Sequence, residues 1–345
     1  MNLLNPVKQP NDFFATNNFL MKSIKKSPRN RTITLSKIEL EKYSKRLLDL
    51  KEKASVRDVI NKTIHQDLFK AADLLPGNFV DLLIIDPPYN LSRTFNTNSF
   101  KERSVDDYAA WIESFIIKLR RILKTNASIY FCGDWHTSIS IPLILQKYFI
   151  IQNRITWERE KGRGAKRNWK NSSEDIWFCT VSKKFIFNTK QVKLNRKVIA
   201  PYRDSNGKPK DWQSSKKGNF RLTHPSNIWN DISIPFWSMP ENTEHSTQKP
   251  EKLLAKIILA SSKKGQVVLD PFLGSGTTSV VAKKLGRKYV GVESDRYYAC
   301  LAEKRLDLAE KDKSIQGYEF GVFWERNTMP VSIKTTRNKQ KGQQS

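Results

Sequence analysis

VDLLIIDPPYNL, residues 80–91, joins a nearly continuous apolar run to an acid, two prolines and a tyrosine. The run 80–85 is broken only by Asp81 and has the composition of a strand buried on both faces. Strands of this kind occur in parallel sheets covered by helices, where ligands bind beyond the carboxyl ends of the strands. The stretch therefore predicts a buried strand that ends in a functional loop.

Strand and helix patterns alternate along much of the remaining chain. Apolar runs at 127–133, 266–270 and 288–293 predict strands, and the less regular run 149–158 predicts a strand near a sheet edge. Helical spacing of apolar residues predicts helices at 104–123, capped by Ser104, and at 251–262, opened by Pro250. Two more helices are predicted at 277–286 and 297–311. This alternation predicts an α/β fold with a doubly wound, mostly parallel, Rossmann-like sheet.

The charge balance indicates a polyanionic partner. The chain of 345 residues carries 61 Lys and Arg against 34 Asp and Glu, a formal charge of +27. Such an excess destabilises the compact state by self-repulsion and is typical of proteins that bind nucleic acid. No apolar run has the length of a membrane span, and residues 1–14 lack the pattern of a signal peptide.

Cysteine and histidine usage indicates a reducing compartment and no metal site. The three cysteines, Cys132, Cys179 and Cys300, show neither disulfide nor metal-ligand spacing, and the four histidines are scattered. We therefore expect a cytoplasmic protein without a bound metal.

A basic region separates the two halves of the alternating pattern. Residues 153–222 hold nineteen Lys and Arg against six Asp and Glu, interleaved with tryptophans and glycines. Basic groups bind phosphates, so we expect this region to contact DNA, with a solvated insertion as the alternative. The candidate DNA-binding residues are Arg163, Lys166, Arg167, Lys170, Lys216 and Lys217. The basic N-terminal residues 1–53 are interpreted as a solvated helical segment rather than a DNA-binding arm.

The segment Asp86-Pro87-Pro88-Tyr89 has the groups needed to hold an amine on an aromatic ring. Prolines fix the backbone and have no N–H, so a carboxylate and a proline carbonyl together offer two acceptors. Tyr89 offers a flat surface on which a ring can stack. These four residues are the predicted catalytic group.

The second informative strand end lies in VVLDPFLGSGTTSVVA, residues 267–282. Gly274 and Gly276 are expected to let a ligand approach the backbone between strand and helix. The loop lacks the lysine of a Walker loop, and Ser279 stands where a dinucleotide-binding loop has its third glycine. Glu293 ends the next strand, where an acid can bind ribose hydroxyls. A nucleoside without a pyrophosphate fits this loop better than NAD.

Together, DPPY at 86–89 and DPFLGSGTT at 270–278 resemble the amino-group DNA methyltransferases that use S-adenosylmethionine. The catalytic motif precedes the cofactor motif, with a basic segment between, which resembles the beta class found in restriction–modification systems. The resemblance covers about residues 60–310. It implies a prokaryotic enzyme that flips a base out of duplex DNA and methylates its exocyclic amine directly, with double-stranded DNA as its partner.

The resemblance also implies roles and domain bounds along the chain. Cofactor contacts would come from Asp67 (preceded by Gln66 where the family usually has glycine), Thr247, Lys249, Asp270, Phe272, Gly274, Gly276, Thr277 and Glu293. The expected domains are an N-terminal extension (1–55), a catalytic half (56–152), a target-recognition region (153–240), a cofactor-binding half (241–312) and a basic tail (313–345).

Adenine N6 is the predicted target, because the catalytic motif begins with Asp rather than with the Ser frequent in cytosine-N4 relatives. Cytosine N4 remains the alternative. An NAD-dependent oxidoreductase and a non-catalytic nucleic-acid-binding protein are the competing classes, and RNA remains open as a substrate. A homodimer and a cognate restriction endonuclease acting on the same site also stay open.

Overall fold

The computed structural model describes residues 27–96, 98–159, 167–199, 202–215, 218–326 and 328. The strands, in chain order, are β1 (Lys62–His65), β2 (Val80–Ile85), β3 (Arg93–Phe95), β4 (Asn98–Phe100), β5 (Leu123–Gly133), β6 (Ile150–Glu158), β7 (Ser173–Thr180), β8 (Leu194–Lys197), β9 (Gln213–Ser215), β10 (Gly218–Thr223), β11 (Ile228–Trp229), β12 (Val267–Asp270), β13 (Lys288–Glu293), β14 (Tyr318–Glu319) and β15 (Val322–Trp324).

Eight α-helices connect or flank these strands. They are α1 (Lys37–Ser44), α2 (Val56–Val59), α3 (Leu68–Leu74), α4 (Val105–Arg120), α5 (Ile141–Tyr148), α6 (Glu251–Ser261), α7 (Thr277–Lys284) and α8 (Arg296–Lys311), with short 3-10 turns at Thr137–Ile139 and Thr189–Val192. The predicted helix starts are confirmed: the Ser104 side chain accepts a hydrogen bond from the Asp107 N–H at the start of α4, and α6 follows directly on Pro250. No helix among the described residues is long and apolar enough to span a membrane.

The main sheet has eight strands in the order β1-β13-β12-β2-β5-β7-β6-β11. The first five are mutually parallel, β7 is antiparallel to both of its neighbours, and β11 is parallel to β6. The predicted α/β fold is therefore confirmed, including the place of β6 near an edge. From the adjacent pair β12 and β2 the chain winds outward in opposite directions, which makes this pair the topological switch point where ligands bind in open α/β sheets.

Side-chain alternation divides the core into two layers. Leu83 and Ile85 of β2 face the layer that contains α3, α4 and α5, whereas Leu82 and Ile84 face the layer of α6, α7 and α8. Because successive strand residues point to opposite faces, Asp86 follows on the same face as Ile84, toward α6. The alternation thus directs the first residue of the predicted catalytic group to one defined side of the sheet.

A second sheet forms partly within the basic region, for which the sequence predicted no strands beyond the run 149–158. It has five strands in the order β14-β15-β8-β10-β9. Strands β14 and β15 come from the segment predicted as a C-terminal tail, and β15 pairs in parallel with β8. Strands β6 and β7, within the predicted target-recognition region, belong to the main sheet. The strands of the second sheet are short and mix polar with apolar residues, so their apolar pattern is weak in the sequence.

The N-terminal segment, predicted to be separate, packs on the main domain where it is described. Tyr43 of α1 is buried, and its hydroxyl donates a hydrogen bond to Asp307 of α8. Leu50 belongs to the core layer of α3 and α4. Residues 36–50 therefore form part of the domain surface that covers α8 and β1.

Candidate active site

The chain leaves β2 in a loop that is fixed from two sides. The Tyr108 hydroxyl of α4 donates a hydrogen bond of 3.0 Å to the Pro88 carbonyl. The Asn90 side chain binds the backbone of Arg103 twice, as donor to its carbonyl and as acceptor from its N–H, both at 2.8 Å. Because the two prolines also fix their own φ angles, the predicted catalytic group is held rigidly at the carboxyl end of the sheet.

The Asp86 carboxylate is paired with a lysine that the sequence assigned to the cofactor. The Lys249 ammonium lies 2.7 Å from both oxygens of Asp86 and 5.3 Å from the centre of the Tyr89 ring. The Tyr89 hydroxyl lies 3.2 Å from Asp86 Oδ1. The structure thus places Lys249 against the predicted catalytic group.

Burial and ion pairing oppose each other in this group. Burial raises the pKa of Asp86 and the neighbouring Glu174 adds to the rise, while the Lys249 ammonium acts against it. Burial alone would lower the pKa of Lys249, but the carboxylates of Asp86 and Glu174 hold it above its ordinary value. Lysine therefore stays charged beside Asp86.

Glu174 of β7 completes the charged group and was not identified from the sequence. Its side chain is only 5% exposed; Oε2 accepts a hydrogen bond of 3.0 Å from the Tyr89 hydroxyl and lies 3.3 Å from the Lys249 ammonium. Oε1 pairs with Arg159, at the end of β6. Alternation in β7 was the available signal, since Ile176 and Phe178 face the α6 layer and residue 174 continues that face.

The loop after β12 provides the second half of the site. Asp270 accepts hydrogen bonds from the Phe272 N–H at 3.0 Å and from the Thr278 hydroxyl at 2.6 Å. Glu293, at the end of β13, accepts 2.7 Å and 2.8 Å bonds from the N–H groups of Gly274 and Asp295. Burial raises the pKa of Asp270 and of Glu293 to about 7 each. Two carboxyl groups are therefore held at the rim of one loop, beside the strand that carries Asp86.

The two glycines of this loop are required for different reasons. Both have left-handed backbone conformations, with φ of 54° at Gly274 and 83° at Gly276. A Cβ on Gly274 would meet the His245 ring at 3.0 Å, whereas one on Gly276 would lie 2.5 Å from the Cβ of Ala302. Gly276 therefore permits α7 to pack on α8, and the expectation that it also lets a ligand approach stays a prediction. Thr277 opens α7, and its hydroxyl accepts a hydrogen bond from the buried Arg305.

One cavity of about 580 Å³ connects the two halves. The residues that line it include Asp67, Asp86, Tyr89, Glu174, Thr247, Lys249, Asp270, Phe272, Gly274, Thr277 and Glu293. Asp67 also caps α3, where its carboxylate accepts from the Phe69 N–H. The volume of the cavity falls within the range of small-molecule and cofactor sites. Among the described residues, no group of three His, Cys, Asp or Glu could hold a metal ion.

The basic loop between β6 and β7 leaves the sheet at the same edge. Strand β6 runs parallel to β2, so its carboxyl end and the amino end of β7 lie on the side of Asp86. Of the predicted DNA-binding residues, Arg167 and Lys170 are exposed there, together with Trp169, which is 91% exposed. Arg163, Lys166, Lys216 and Lys217 lie outside the described residues.

Comparison with known proteins shows which family shares these features. Residues 80–304 match a family model described as DNA methylase, of the N6/N4 type. The DNA adenine methyltransferase YhdJ of Escherichia coli (strain K12) is 34% identical over 255 residues, which cover 71% of this chain and 82% of YhdJ. The type II methyltransferase M.HpaI of Haemophilus parainfluenzae is 33% identical, with 71% and 74% covered. The fold is similar to that of the PvuII cytosine-N4-specific DNA methyltransferase, with a TM-score of 0.53, 16% identity and 75% and 93% of the two chains covered.

Proposed function

We propose that this chain, which belongs to the N6/N4 family of DNA methylases, transfers a methyl group from S-adenosylmethionine to the N6 amine of adenine in duplex DNA. One observation carries the proposal. At the switch point of the sheet, a partly buried acceptor group at Asp86 and a glycine loop flanked by Asp270 and Glu293 line the same cavity. An amine and a nucleoside cofactor can therefore meet there.

The residues at 86–89 act by positioning and polarising the amine. An adenine amine is a poor nucleophile because its lone pair is delocalised into the ring. Acceptance of its two hydrogens by the Asp86 carboxylate and the Pro87 carbonyl shifts the nitrogen toward tetrahedral geometry and localises the lone pair. Stacking on Tyr89 holds the ring in place, and the rigid loop maintains the orientation that the transfer needs.

When bound, S-adenosylmethionine supplies a methyl group on a positively charged sulfur, so the new N–C bond forms while the electrons of the broken S–C bond stay on sulfur. The attacking nitrogen then carries an extra proton, which the Asp86 carboxylate can accept as the hydrogen-bond partner of the amine. No covalent bond to the protein is required.

The cofactor half of the cavity suits a nucleoside. The Glu293 carboxylate, oriented by the Gly274 and Asp295 N–H groups, would bind ribose hydroxyls, and Phe272 would contact the adenine ring. Asp67, Thr247, Asp270, Gly274 and Thr277 remain the proposed contacts around it. Lys249 is assigned another role because of its placement, and Gly276 stays a predicted contact that also permits α7 to pack on α8.

The relatives favour adenine over cytosine as the target base. YhdJ is named an adenine methyltransferase, and it is far more similar to this chain than the cytosine-N4-specific PvuII enzyme, which shares the fold at 16% identity. Cytosine N4 is the second candidate on the strength of that shared fold. Some relatives are named type II methyltransferases. These names further support the proposal that this chain acts together with a restriction endonuclease that recognises the same site.

DNA would bind across the carboxyl edge of the sheet. The target amine is stacked inside duplex DNA, so the base must flip out, which costs a few kcal/mol. The exposed basic loop at this edge provides phosphate contacts that can offset this cost. Exposed Trp169 gives the same loop an aromatic surface next to its cations.

Replacement of Asp86 by alanine tests the proposed chemistry. The Asp86→Ala protein should lose methyl transfer in a single turnover, because an acceptor for the amine is removed. Its affinity for S-adenosylmethionine, measured by calorimetry, should largely survive, since the cofactor loop is untouched. A single-turnover rate within threefold of the unmodified protein would contradict the assignment.

A further inference from the structure

The Lys249 ammonium binds the carboxylate oxygens of Asp86 that the target amine needs. This ammonium lies 2.7 Å from each oxygen of Asp86 and 3.2 Å from the Tyr89 hydroxyl. An ammonium has three N–H donors and no acceptor, and here it takes an acceptor position on each oxygen of Asp86. An incoming amine therefore competes with this ammonium for the carboxylate.

Glu174 offers the displaced ammonium a second carboxylate. Its Oε2 is 3.3 Å from Lys249, close enough for the ammonium to transfer by a small side-chain rotation. Leaving a buried charge without a partner is strongly unfavourable, and both Lys249 and Glu174 are largely buried, with exposures of 10% and 5%. The ammonium therefore needs a receiving carboxylate at this depth.

Arg159 fixes the orientation of that carboxylate. It pairs with Glu174 Oε1, which leaves Oε2 directed at Tyr89 and Lys249. The backbone N–H of Arg159 also donates a hydrogen bond to the Ser172 carbonyl. This bond joins the two ends of the basic loop between β6 and β7. The four charges of Asp86, Lys249, Glu174 and Arg159 sum to zero, so the ammonium can move from one carboxylate to the other without change in the net charge of the site.

We propose that Glu174 is a positioning residue that receives the Lys249 ammonium when the target amine binds Asp86. The inference rests on the proposed function, and it adds that the Lys249 ammonium and the substrate amine use the same oxygens of Asp86. Exchange of the ammonium between two carboxylates opens Asp86 only when an amine is present to replace it.

A double-mutant cycle tests this role. Glu174→Gln keeps the size of the side chain but removes its charge, and should lower the single-turnover rate at least tenfold while the Kd for S-adenosylmethionine stays within twofold. In the Lys249→Met background the same change should cost less than twofold, because no ammonium remains to be received. Asp175→Asn is the matched control, since it neutralises the next carboxylate of β7, on the opposite face of the strand, and should leave the rate within twofold.

Binding of substrate analogues gives a second reading that does not depend on turnover. With S-adenosylhomocysteine present, duplexes with adenine or with purine at the target position are compared; purine lacks the 6-amino group and has no need to displace Lys249. Glu174→Gln should weaken binding of the adenine duplex at least fivefold more than that of the purine duplex, and this difference should vanish in the Lys249→Met background. If Lys249→Met methylates too slowly to measure, these affinities complete the cycle.

Two outcomes would overturn the inference. Equal losses from Glu174→Gln in both backgrounds, or equal losses for adenine and purine duplexes, would mean that Glu174 only supports Tyr89 structurally. A Glu174→Gln rate within threefold of the unmodified protein would also reject it. Absence of adenine methylation by the unmodified protein would instead reject the proposed function, so the two failures are distinguishable.

Discussion

At the scale of single residues, the ionisation of Asp86 should set the acid limit of activity. Amine acceptance requires the carboxylate form, and burial together with Glu174 raises the pKa of Asp86 while Lys249 opposes the rise. Among the described residues, the other ionisable groups that interact with Asp86 are Tyr89, Tyr108, Cys132 and Asp270, and these stay unchanged in the test.

Removal of the Lys249 charge and removal of the Glu174 charge should shift this acid limit in opposite directions. Lys249→Met removes the opposing cation, so the pKa of Asp86 rises and activity is lost at a higher pH as the solution is acidified. Glu174→Gln removes an anion, so the pKa falls and activity persists to a lower pH. Profiles of kcat/KM against pH measure both, with Asp175→Asn as the control. Shifts in the same direction would contradict this electrostatic account.

The Tyr89 hydroxyl should contribute to activity in addition to the ring. It lies within hydrogen-bond distance of Asp86 and Glu174, so Tyr89→Phe should lower the single-turnover rate about fivefold, as expected for loss of a hydrogen bond worth ~1 kcal/mol. Tyr89→Ala should lower it by at least a further tenfold, because stacking is also lost. Equal rates for the Phe and Ala variants would assign the whole effect to the hydroxyl and exclude stacking.

Residues that act through a local motif could be predicted, and residues that act through the tertiary fold could not. Asp86 and Tyr89 stand together in the sequence with the prolines that orient them. Glu174 reaches them only because β7 lies two strands from β2. Alternation with Ile176 and Phe178 indicates which face of β7 it is on, but the sequence does not show that β7 brings this face to Asp86. Lys249 was predicted to be a ligand contact from its place before α6, but its partner depends on which side of the sheet Asp86 faces.

At the scale of elements, the two glycines of the cofactor loop should separate folding from binding. Gly276→Ala brings a Cβ to 2.5 Å from that of Ala302 at a φ of 83°, and should destabilise the protein by about 2 kcal/mol or more. Gly274→Ala has only the His245 ring near its new Cβ, so its cost should be about 1 kcal/mol, accompanied by weaker cofactor binding because it lines the cavity.

Thermal unfolding and calorimetric titration measure these two effects. We expect the larger loss in the free energy of unfolding for Gly276→Ala. For Gly274→Ala we expect the loss in the free energy of cofactor binding to exceed the loss in the free energy of unfolding. The reverse pattern would indicate that Gly276 contacts the ligand.

Strands that are buried on both faces could be predicted from the sequence, and short strands at the periphery could not. The apolar runs of β2, β5, β12 and β13 stand out because helices cover both of their faces. Strands β8, β9 and β10 have three to six residues of mixed polarity, and they form a sheet with distant β15, which pairs with β8. The same reason explains why residues 318–324 could not be recognised as part of a sheet.

At the scale of the whole molecule, the excess positive charge should act mainly at the carboxyl edge of the main sheet. Neutralising Arg163, Lys166 and Arg167 in the basic loop should weaken DNA binding, and each lost phosphate contact should reduce the slope of log K against log salt by about 0.9. Cofactor affinity should be unaffected, because the loop at 270–278 and Glu293 remain unchanged.

Lys263, Lys264 and Lys288 provide a matched control for this charge change. They are exposed and lie at the amino ends of β12 and β13, the opposite edge of the sheet. Neutralising them changes the net charge by the same amount and should leave the salt slope nearly unchanged. Equal effects of the two triple variants would mean that DNA responds to overall charge and not to this edge.

The identity of the methylated nucleoside tests the central claim most directly. Unmethylated DNA is incubated with the protein and methyl-labelled S-adenosylmethionine, digested to nucleosides and analysed by mass spectrometry, with the Asp86→Ala protein in parallel. The account predicts labelled N6-methyl-2′-deoxyadenosine from the unmodified protein and none from the variant. Label found only in N4-methyl-2′-deoxycytidine, or found equally with Asp86→Ala, would contradict it.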